Sequence, residues 1–257
     1  MRIDGLPVLG ALSSLNAIFY PIDVGATGAP YSGAVWTGID ADGAPDANTC
    51  SGWTNNSSGT FAMSGTAGLE GGAWTAGSVI ACNQTAVLYC FGATTTQSSF
   101  PINVTATPRR AFLSKSLFTP SSGASGGISG ADQLCANDAT NAGLTGTYQA
   151  LLGTDGAQPL ARFDLGKPPW ARLDGTLLAA DAPSTIGANA LAALDQLSDG
   201  SYVSSATTIV WLGDGRGTCA NWTDSTAVGA NATAVAPIAL GSARACGMAL
   251  PVYCLQQ

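Results

Sequence analysis

Val210-Trp211-Leu212-Gly213, then Cys219-Ala220-Asn221-Trp222-Thr223, then Cys246 and Tyr253-Cys254, form the stretch whose reading decides the fold, because the chain holds it twice. The earlier copy is Val35-Trp36-Thr37-Gly38, Cys50-Ser51-Gly52-Trp53-Thr54, Cys82 and Tyr89-Cys90. In both copies the last two cysteines stand eight apart (90 − 82 and 254 − 246), and a tyrosine precedes the final one. The repeat extends upstream, where Arg172-Leu173-Asp174-Gly175 matches Arg2-Ile3-Asp4-Gly5. Nothing in the first copy corresponds to residues 110–170. The sequence therefore divides into an N-terminally incomplete module at 1–91, a polar linker at 92–109 with one candidate strand at 100–105, and a complete module at 110–257.

The composition limits what such a repeat can do. The 257 residues are 46% apolar, enough for a core, yet only 10% are charged, against roughly 25% in an average soluble protein. The surface is therefore built from Ser, Thr, Asn, Gly and Ala. Nine basic against sixteen acidic residues, with no Lys/Arg run, argue against a nucleic acid or an anionic membrane as partner. The one adjacent basic pair, Arg109-Arg110, reads as a solvated strand start. No apolar run approaches the roughly 18 residues that would mark a membrane span. The chain has no histidine, which removes Ser-His-Asp and Cys-His nucleophiles and every histidine-based metal site.

Seven cysteines without a C-x-x-C pair read as a disulfide framework from an oxidising compartment. Met1-Arg2-Ile3-Asp4-Gly5 lacks the apolar segment of a signal peptide, so the expectation is an extracellular or cell-surface protein whose true start lies upstream. Six N-x-S/T sequons, at Asn55, Asn56, Asn83, Asn103, Asn221 and Asn231, fit glycosylation in an exported protein and equally fit chance in so Asn/Ser/Thr-rich a chain.

Along the second copy, residues 111–119 read as a strand and 148–152 as another. Ser129 reads as the N-cap of a helix with Asp132 in its first turn. Ala131, Leu134, Cys135, Ala139 and Ala142 fall on one helical face, and Gly143 stops it. Residues 188–197 read as a second helix burying Leu191, Leu194 and Leu197.

Within 110–257, Gly127-Ile128-Ser129-Gly130-Ala131-Asp132-x-x-Cys135 and the following Ala142-Gly143-Leu144-x-Gly146-Thr147-Tyr148-x-Ala150-Leu151-Leu152 resemble the first half of the collagen-derived endostatin domain. The V-W-x-G, C-x-x-W and C-x7-C elements resemble its second half. A family of uncharacterised bacterial secreted domains is similar too, and closer in composition and in Trp170-x-Arg172-x-Asp174-Gly175. The resemblance implies an α+β, C-type-lectin-like fold: a twisted antiparallel sheet, two helices and long loops. It also implies disulfides Cys135–Cys254, Cys219–Cys246 and, in the incomplete module, Cys50–Cys82. Cys90 is left over. Three readings stand for it: a truncated frame whose upstream part holds the partner, a second chain that donates the missing strand and helix, or a free thiol.

Trp36 and Trp211 read as core strand residues, and Trp53 and Trp222 as packing on the neighbouring disulfide. Trp74 and Trp170, in Gly- and Pro-rich surroundings, are the candidates for exposed, ligand-stacking rings. No cofactor and no metal is expected. The calcium triplets of sugar-binding lectins are absent, endostatin's zinc histidines and arginine cluster have no counterpart, and Asp40-Ala41-Asp42-Gly43 reads as turn chemistry rather than a calcium loop. The expected function is non-enzymatic: a secreted or cell-surface protein of tandem lectin-like modules in adhesion, envelope structure or matrix assembly, with self-association or a completing chain as partner. The alternatives are a calcium-independent glycan- or protein-binding module using the loops between Trp211 and Cys246, and, last, a hydrolase using a carboxylate pair.

Overall fold

The computed structural model describes residues 1–9, 18–92, 106–121, 126–203, 208–215, 217–234 and 236–257. The candidate strand at 100–105 lies outside them. The architecture is mixed α+β, mostly sheet, and it forms two compact units whose described residues run from Met1 to Gly92 and from Ala106 to Gln257.

In the first unit, β1 (Ala34–Trp36), β2 (Phe61–Thr66), β3 (Ser78–Ala81) and β4 (Val87–Leu88) form one sheet in the order β3-β2-β1-β4. β1 to β3 are antiparallel, whereas β4 lies parallel to β1 with Val35 opposite Val87 and Trp36 opposite Leu88. A single helical turn, α1 (Cys50–Trp53), bridges β1 and β2 in sequence.

The second unit repeats this plan and adds to it. β8 (Ile209–Trp211), α3 (Cys219–Trp222), β9 (Val228–Thr233) and β10 (Ala243–Ala245) take the places of β1, α1, β2 and β3. Val252 bridges to Trp211 in parallel, as Leu88 does to Trp36. The additions are β5 (Arg109–Leu113), α2 (Gly127–Asn141), β6 (Tyr148–Ala150) and β7 (Trp170–Ala171). With β11 (Tyr253–Gln256) the three added strands make a second sheet, β6-β11-β5-β7.

That sheet is buried on both faces. Ala111, Leu113, Tyr253 and Leu255 pack into one apolar cluster, while Phe112, Val252 and Cys254 pack into another on the opposite side. Side chains alternate faces along a strand, so a strand covered on both sides reads as an unbroken apolar run, as Ala111-Phe112-Leu113 does. The strand ends at Leu113, short of the expected Thr119, because the chain turns there under Asp138. The Asp138 carboxylate accepts from the backbone N–H groups of Lys115 (2.7 Å) and Ser116 (3.0 Å) and from the Ser116 hydroxyl (2.7 Å). Arg109 is not solvated at the strand start. It is buried, with its guanidinium 3.7 Å from the centroid of the Trp170 ring.

Helix α2 starts two residues before the expected cap. Gly126 is the N-cap, and no side chain caps the helix. Asp132 does other work: it accepts from the Ala150 N–H (3.0 Å) and pairs with Arg162 (2.6 Å), fastening α2 to β6 and the segment beyond. The buried face is Ala131, Cys135 and Ala139, small side chains one turn apart. Gly143, at φ +69°, ends the helix in the left-handed conformation that glycine adopts without penalty.

Residues 188–197 are not a helix. Ala192 to Gln196 are all buried, and the segment makes isolated strand bridges, Ala193 to Pro237, Gln196 to Tyr202 and Leu197 to Leu113. Only Leu194 of the three expected leucines is fully buried, and Leu191 and Leu197 are half-buried. The helical spacing is overridden by tertiary contacts: the segment lies inside, where Asp195 is the counter-charge of Arg172. No helix among the described residues is long and apolar enough to cross a membrane.

Candidate functional site

The repeated block builds the same local device in both units. Thr49 and Thr218 each accept, through the side-chain oxygen, from the backbone N–H three residues on, at Gly52 (3.2 Å) and Asn221 (3.3 Å). The four residues that follow each threonine all have positive φ: 51° to 68° in Cys50–Trp53 and 51° to 67° in Cys219–Trp222. Each is a complete left-handed turn, a conformation that costs L-residues roughly 1–2 kcal/mol per position. Both turns are clamped by disulfides, Cys50–Cys82 and Cys219–Cys246, and α2 is tied to β11 by Cys135–Cys254. These are the pairs that the resemblance implies. The left-handed turn carries no sequence signal beyond its threonine and its duplication, and sequence reading misses it.

The turn aims a tryptophan at the glycine of V-W-x-G. A Cβ at Gly38 would lie 2.7 Å from the Trp53 ring, and one at Gly213 2.8 Å from the Trp222 ring. This is why glycine follows the strand in both copies. Trp222 is fully buried between Trp211 and Phe118, and its indole N–H donates to the Gly153 carbonyl at 2.7 Å. Trp53 keeps the edge contact with Trp36, at 5.8 Å, but is 51% exposed.

The two candidate stacking rings are corrections. Trp170 is 0% exposed and Trp74 3%. Trp170 lies across Phe163 and under Arg109, and its N–H donates to the Gln256 carbonyl at 2.7 Å. Trp74 packs on Tyr89, whose hydroxyl donates to the Trp74 carbonyl at 3.2 Å. Gly- or Pro-rich surroundings in sequence therefore do not place either ring in solvent.

An ionic network occupies the equivalent place in each unit. The Arg172 guanidinium, 0% exposed, donates to Asp195 (2.8 Å), Asp174 (3.0 Å) and the Thr176 hydroxyl (3.2 Å). The Tyr202 hydroxyl closes it, donating to Asp174 at 2.6 Å. Burial raises the Asp195 carboxyl, with Arg172 pulling the other way. Burial works against Asp174 too, but Arg172, Tyr202 and Thr176 together hold it below the ordinary carboxylate range. In the first unit, Arg2 pairs with Asp4 (2.5 Å) and Asp23 (2.5 Å) in the same relation, but the Asp23 and Asp4 side chains are 34% and 39% exposed. Asp23 and Asp195 follow their arginines by 21 and 23 residues (23 − 2, 195 − 172), a correspondence visible in the sequence once the R-x-D-G pair is aligned. In both units the arginine is paired with two aspartates, so the network ties its segments together as a structural anchor.

Other acidic groups hold turns or distant segments. Asp40 accepts from the N–H groups of Asp42 (3.0 Å) and Ala44 (2.8 Å), and Asp155 accepts from Thr218 and Asn221. Among the described residues no three His, Cys, Asp or Glu side chains group as metal ligands. The segment between Trp211 and Cys246, expected as loop, also carries α3 and the paired strands β9 and β10.

What distinguishes the units is one side of the first. Leu88 is 69% exposed, Phe91 57% and Trp53 51%, while their counterparts Val252, Leu255 and Trp222 are all at 0%. Cys90 is free and exposed, whereas Cys254 is bonded and buried. Among the described residues no strand pairs with Tyr89–Phe91, although Tyr253–Leu255 is flanked by β5 and β6. This open edge, with Cys90 in its middle, is the candidate interaction site. No family model matches the chain, and no curated protein is significantly similar to it.

Proposed function

We propose that this chain is a non-enzymatic extracellular or cell-surface protein of tandem lectin-like modules, acting in adhesion, envelope structure or matrix assembly. The observation that carries the reading is the open side of the first unit. Large apolar side chains exposed together on a sheet edge mark a surface meant to be covered. The second unit, with the same strand plan, buries the corresponding residues.

Three further features support it. Three disulfides frame the units, as suits an oxidising compartment. With 10% charged residues the surface generates little repulsion between copies, which favours lasting association. The sequence has no histidine, and the aspartates discussed above are consumed by turns and by the arginine anchors.

Sedimentation velocity over a hundred-fold concentration range, beside a glycan array, tests the reading. Concentration-dependent assembly without glycan binding is the expected result. A strictly monomeric chain that binds a defined glycan contradicts it.

A further inference from the structure

Three grooves among the described residues of the first unit coincide with the places of elements that only the second unit possesses. The first, about 330 Å³, is bordered by Met1, Val24, Tyr89, Cys90 and Phe91. Their counterparts in the second unit are Ala171, Gln196 and Tyr253–Leu255, and these are the residues that hold β5. Leu113, Phe112 and Ala111 pair with Tyr253, Cys254 and Leu255, Arg110 pairs with Ala171, and the Leu113 N–H donates to the Gln196 carbonyl at 2.7 Å.

The second groove, about 400 Å³, is bordered by Trp36, Cys50, Trp53 and Thr54. In the second unit the approach to α2 fills that place. The Ser121 N–H donates to the Trp222 carbonyl at 3.1 Å, and a Cβ at Gly127 would lie 3.3 Å from Thr223. The third, about 220 Å³, is bordered by Thr37, Tyr89 and Phe91. There the second unit seats the end of β6, with the Leu151 N–H donating to Tyr253 and the Gly153 N–H to Leu212, both at 2.7 Å.

We infer that the open side of the first unit is a docking site for a strand–helix–strand segment built like residues 109–153 and bonding to Cys90 through a cysteine on its helix. The inference deepens the assembly reading above and rests on it. The segment's strand is apolar on both faces, like Ala111-Phe112-Leu113, because it becomes an inner strand. Its helix presents small residues around the cysteine, like Ala131, Cys135 and Ala139. Charge points the same way. Residues 1–92 hold one basic residue, Arg2, against Asp4, Asp23, Asp40, Asp42, Asp46 and Glu70, whereas β5 and its turn bring Arg109, Arg110 and Lys115 with no acidic residue before Asp132.

A second copy of this chain cannot supply the segment without loss. Each copy has one such segment and two places for it, and lending its own opens Cys254 and β11. When the bond forms, the Cys90 thiol and the incoming thiol each give up a hydrogen. The two electrons pass to an oxidising disulfide such as glutathione disulfide, which leaves as two thiols.

The test uses the full chain with a synthetic peptide of residues 109–153, whose single cysteine is Cys135, in glutathione redox buffer. A scrambled peptide with the cysteine at the same position is the control. The expected result is an adduct mapped to Cys90, formed at least ten-fold faster than with the scrambled peptide and more slowly at high salt. With a Cys90→Ser chain, the peptide should still slow hydrogen exchange at 89–91. Equal rates for the two peptides, or no protection in the Cys90→Ser chain, overturns the inference, as does a native disulfide joining Cys90 to another cysteine of residues 1–257. Docking by a chain that stays monomeric at every concentration refutes the assembly reading alone, and assembly without docking refutes this inference alone.

Discussion

Arg172→Met and Arg2→Met remove the same guanidinium from two copies of one network, and the structure assigns them different consequences. Arg172 and Asp195 are both 0% exposed, so Arg172→Met leaves a carboxylate inside the protein with its principal counter-charge gone. Breaking a buried pair from one side costs about 3–5 kcal/mol. Asp23 is 34% exposed and solvated once Arg2 is lost, so that substitution should cost about 1 kcal/mol or less.

Both costs should depend on pH in the same sense, because burial also raises the Asp23 carboxyl against the pull of Arg2, and the dependence should be larger at Asp195, which is fully buried. Burial already raises Asp195 against the pull of Arg172, and losing the arginine raises it further. A carboxyl whose folded pKa exceeds its unfolded value contributes stability below the unfolded value, and this is lost as pH rises through the folded one. The cost of Arg172→Met should therefore be greatest at and above neutral pH and shrink towards pH 4, by up to about 1.4 kcal/mol per pH unit for the one proton. Urea denaturation followed by tryptophan fluorescence reads both units, since Trp36, Trp53 and Trp74 report on the first and Trp170, Trp211 and Trp222 on the second. Equal losses at the two sites, or a cost at Arg172 that does not change between pH 4 and pH 8, would refute the reasoning.

Other expectations follow from the same comparison of units. Trp222→Ala should destabilise the second unit by about 3–5 kcal/mol, whereas Trp53→Ala, at a half-exposed ring, should cost the first about 1 kcal/mol; calorimetry on both variants checks this. Gly213→Ala meets both a φ of +71° and the Trp222 ring, and should lower the second unit's stability by more than about 1 kcal/mol, with perturbed tryptophan fluorescence. Replacing Cys219 and Cys246 by serine opens a loop worth about 3.5 kcal/mol in the chain-entropy view, and replacing Cys135 and Cys254 one worth about 5 kcal/mol. Equilibrium unfolding should rank the two variants in that order.

The repeated block makes much of this legible in the sequence. The duplicated V-W-x-G and C-x-x-W mark the shared strands and the duplicated turn, and the i, i+4 spacing of Ala131, Cys135 and Ala139 marks the inner face of α2. What the sequence hides is hidden for physical reasons. Residues 188–197 have both helical spacing and strong helix formers, four Ala and three Leu, and tertiary context overrides them: the segment is buried from Ala192 to Gln196, bridges to Leu113, Tyr202 and Pro237, and supplies Asp195 to Arg172. Trp74 and Trp170 look exposed because their sequence neighbours are turn-formers, whereas what buries them comes from elsewhere in the chain: Tyr89 for Trp74, and Phe163, Arg109 and Gln256 for Trp170. The left-handed turns depend on disulfide clamps and on a threonine oxygen three residues back, neither of which leaves a periodic trace. The open side of the first unit is partly legible, since residues 110–170 have no counterpart before Cys90. Its three grooves follow only from how the missing elements would pack.

Hydrogen exchange on the full chain tests the central difference between the units most directly. The amides of Cys90 and Phe91 should exchange at least a hundred-fold faster than those of Cys254 and Leu255, which lie between β5 and β6. Equal, slow exchange at both places in the chain by itself would show that the edge beside Cys90 is already closed, and the account would fail.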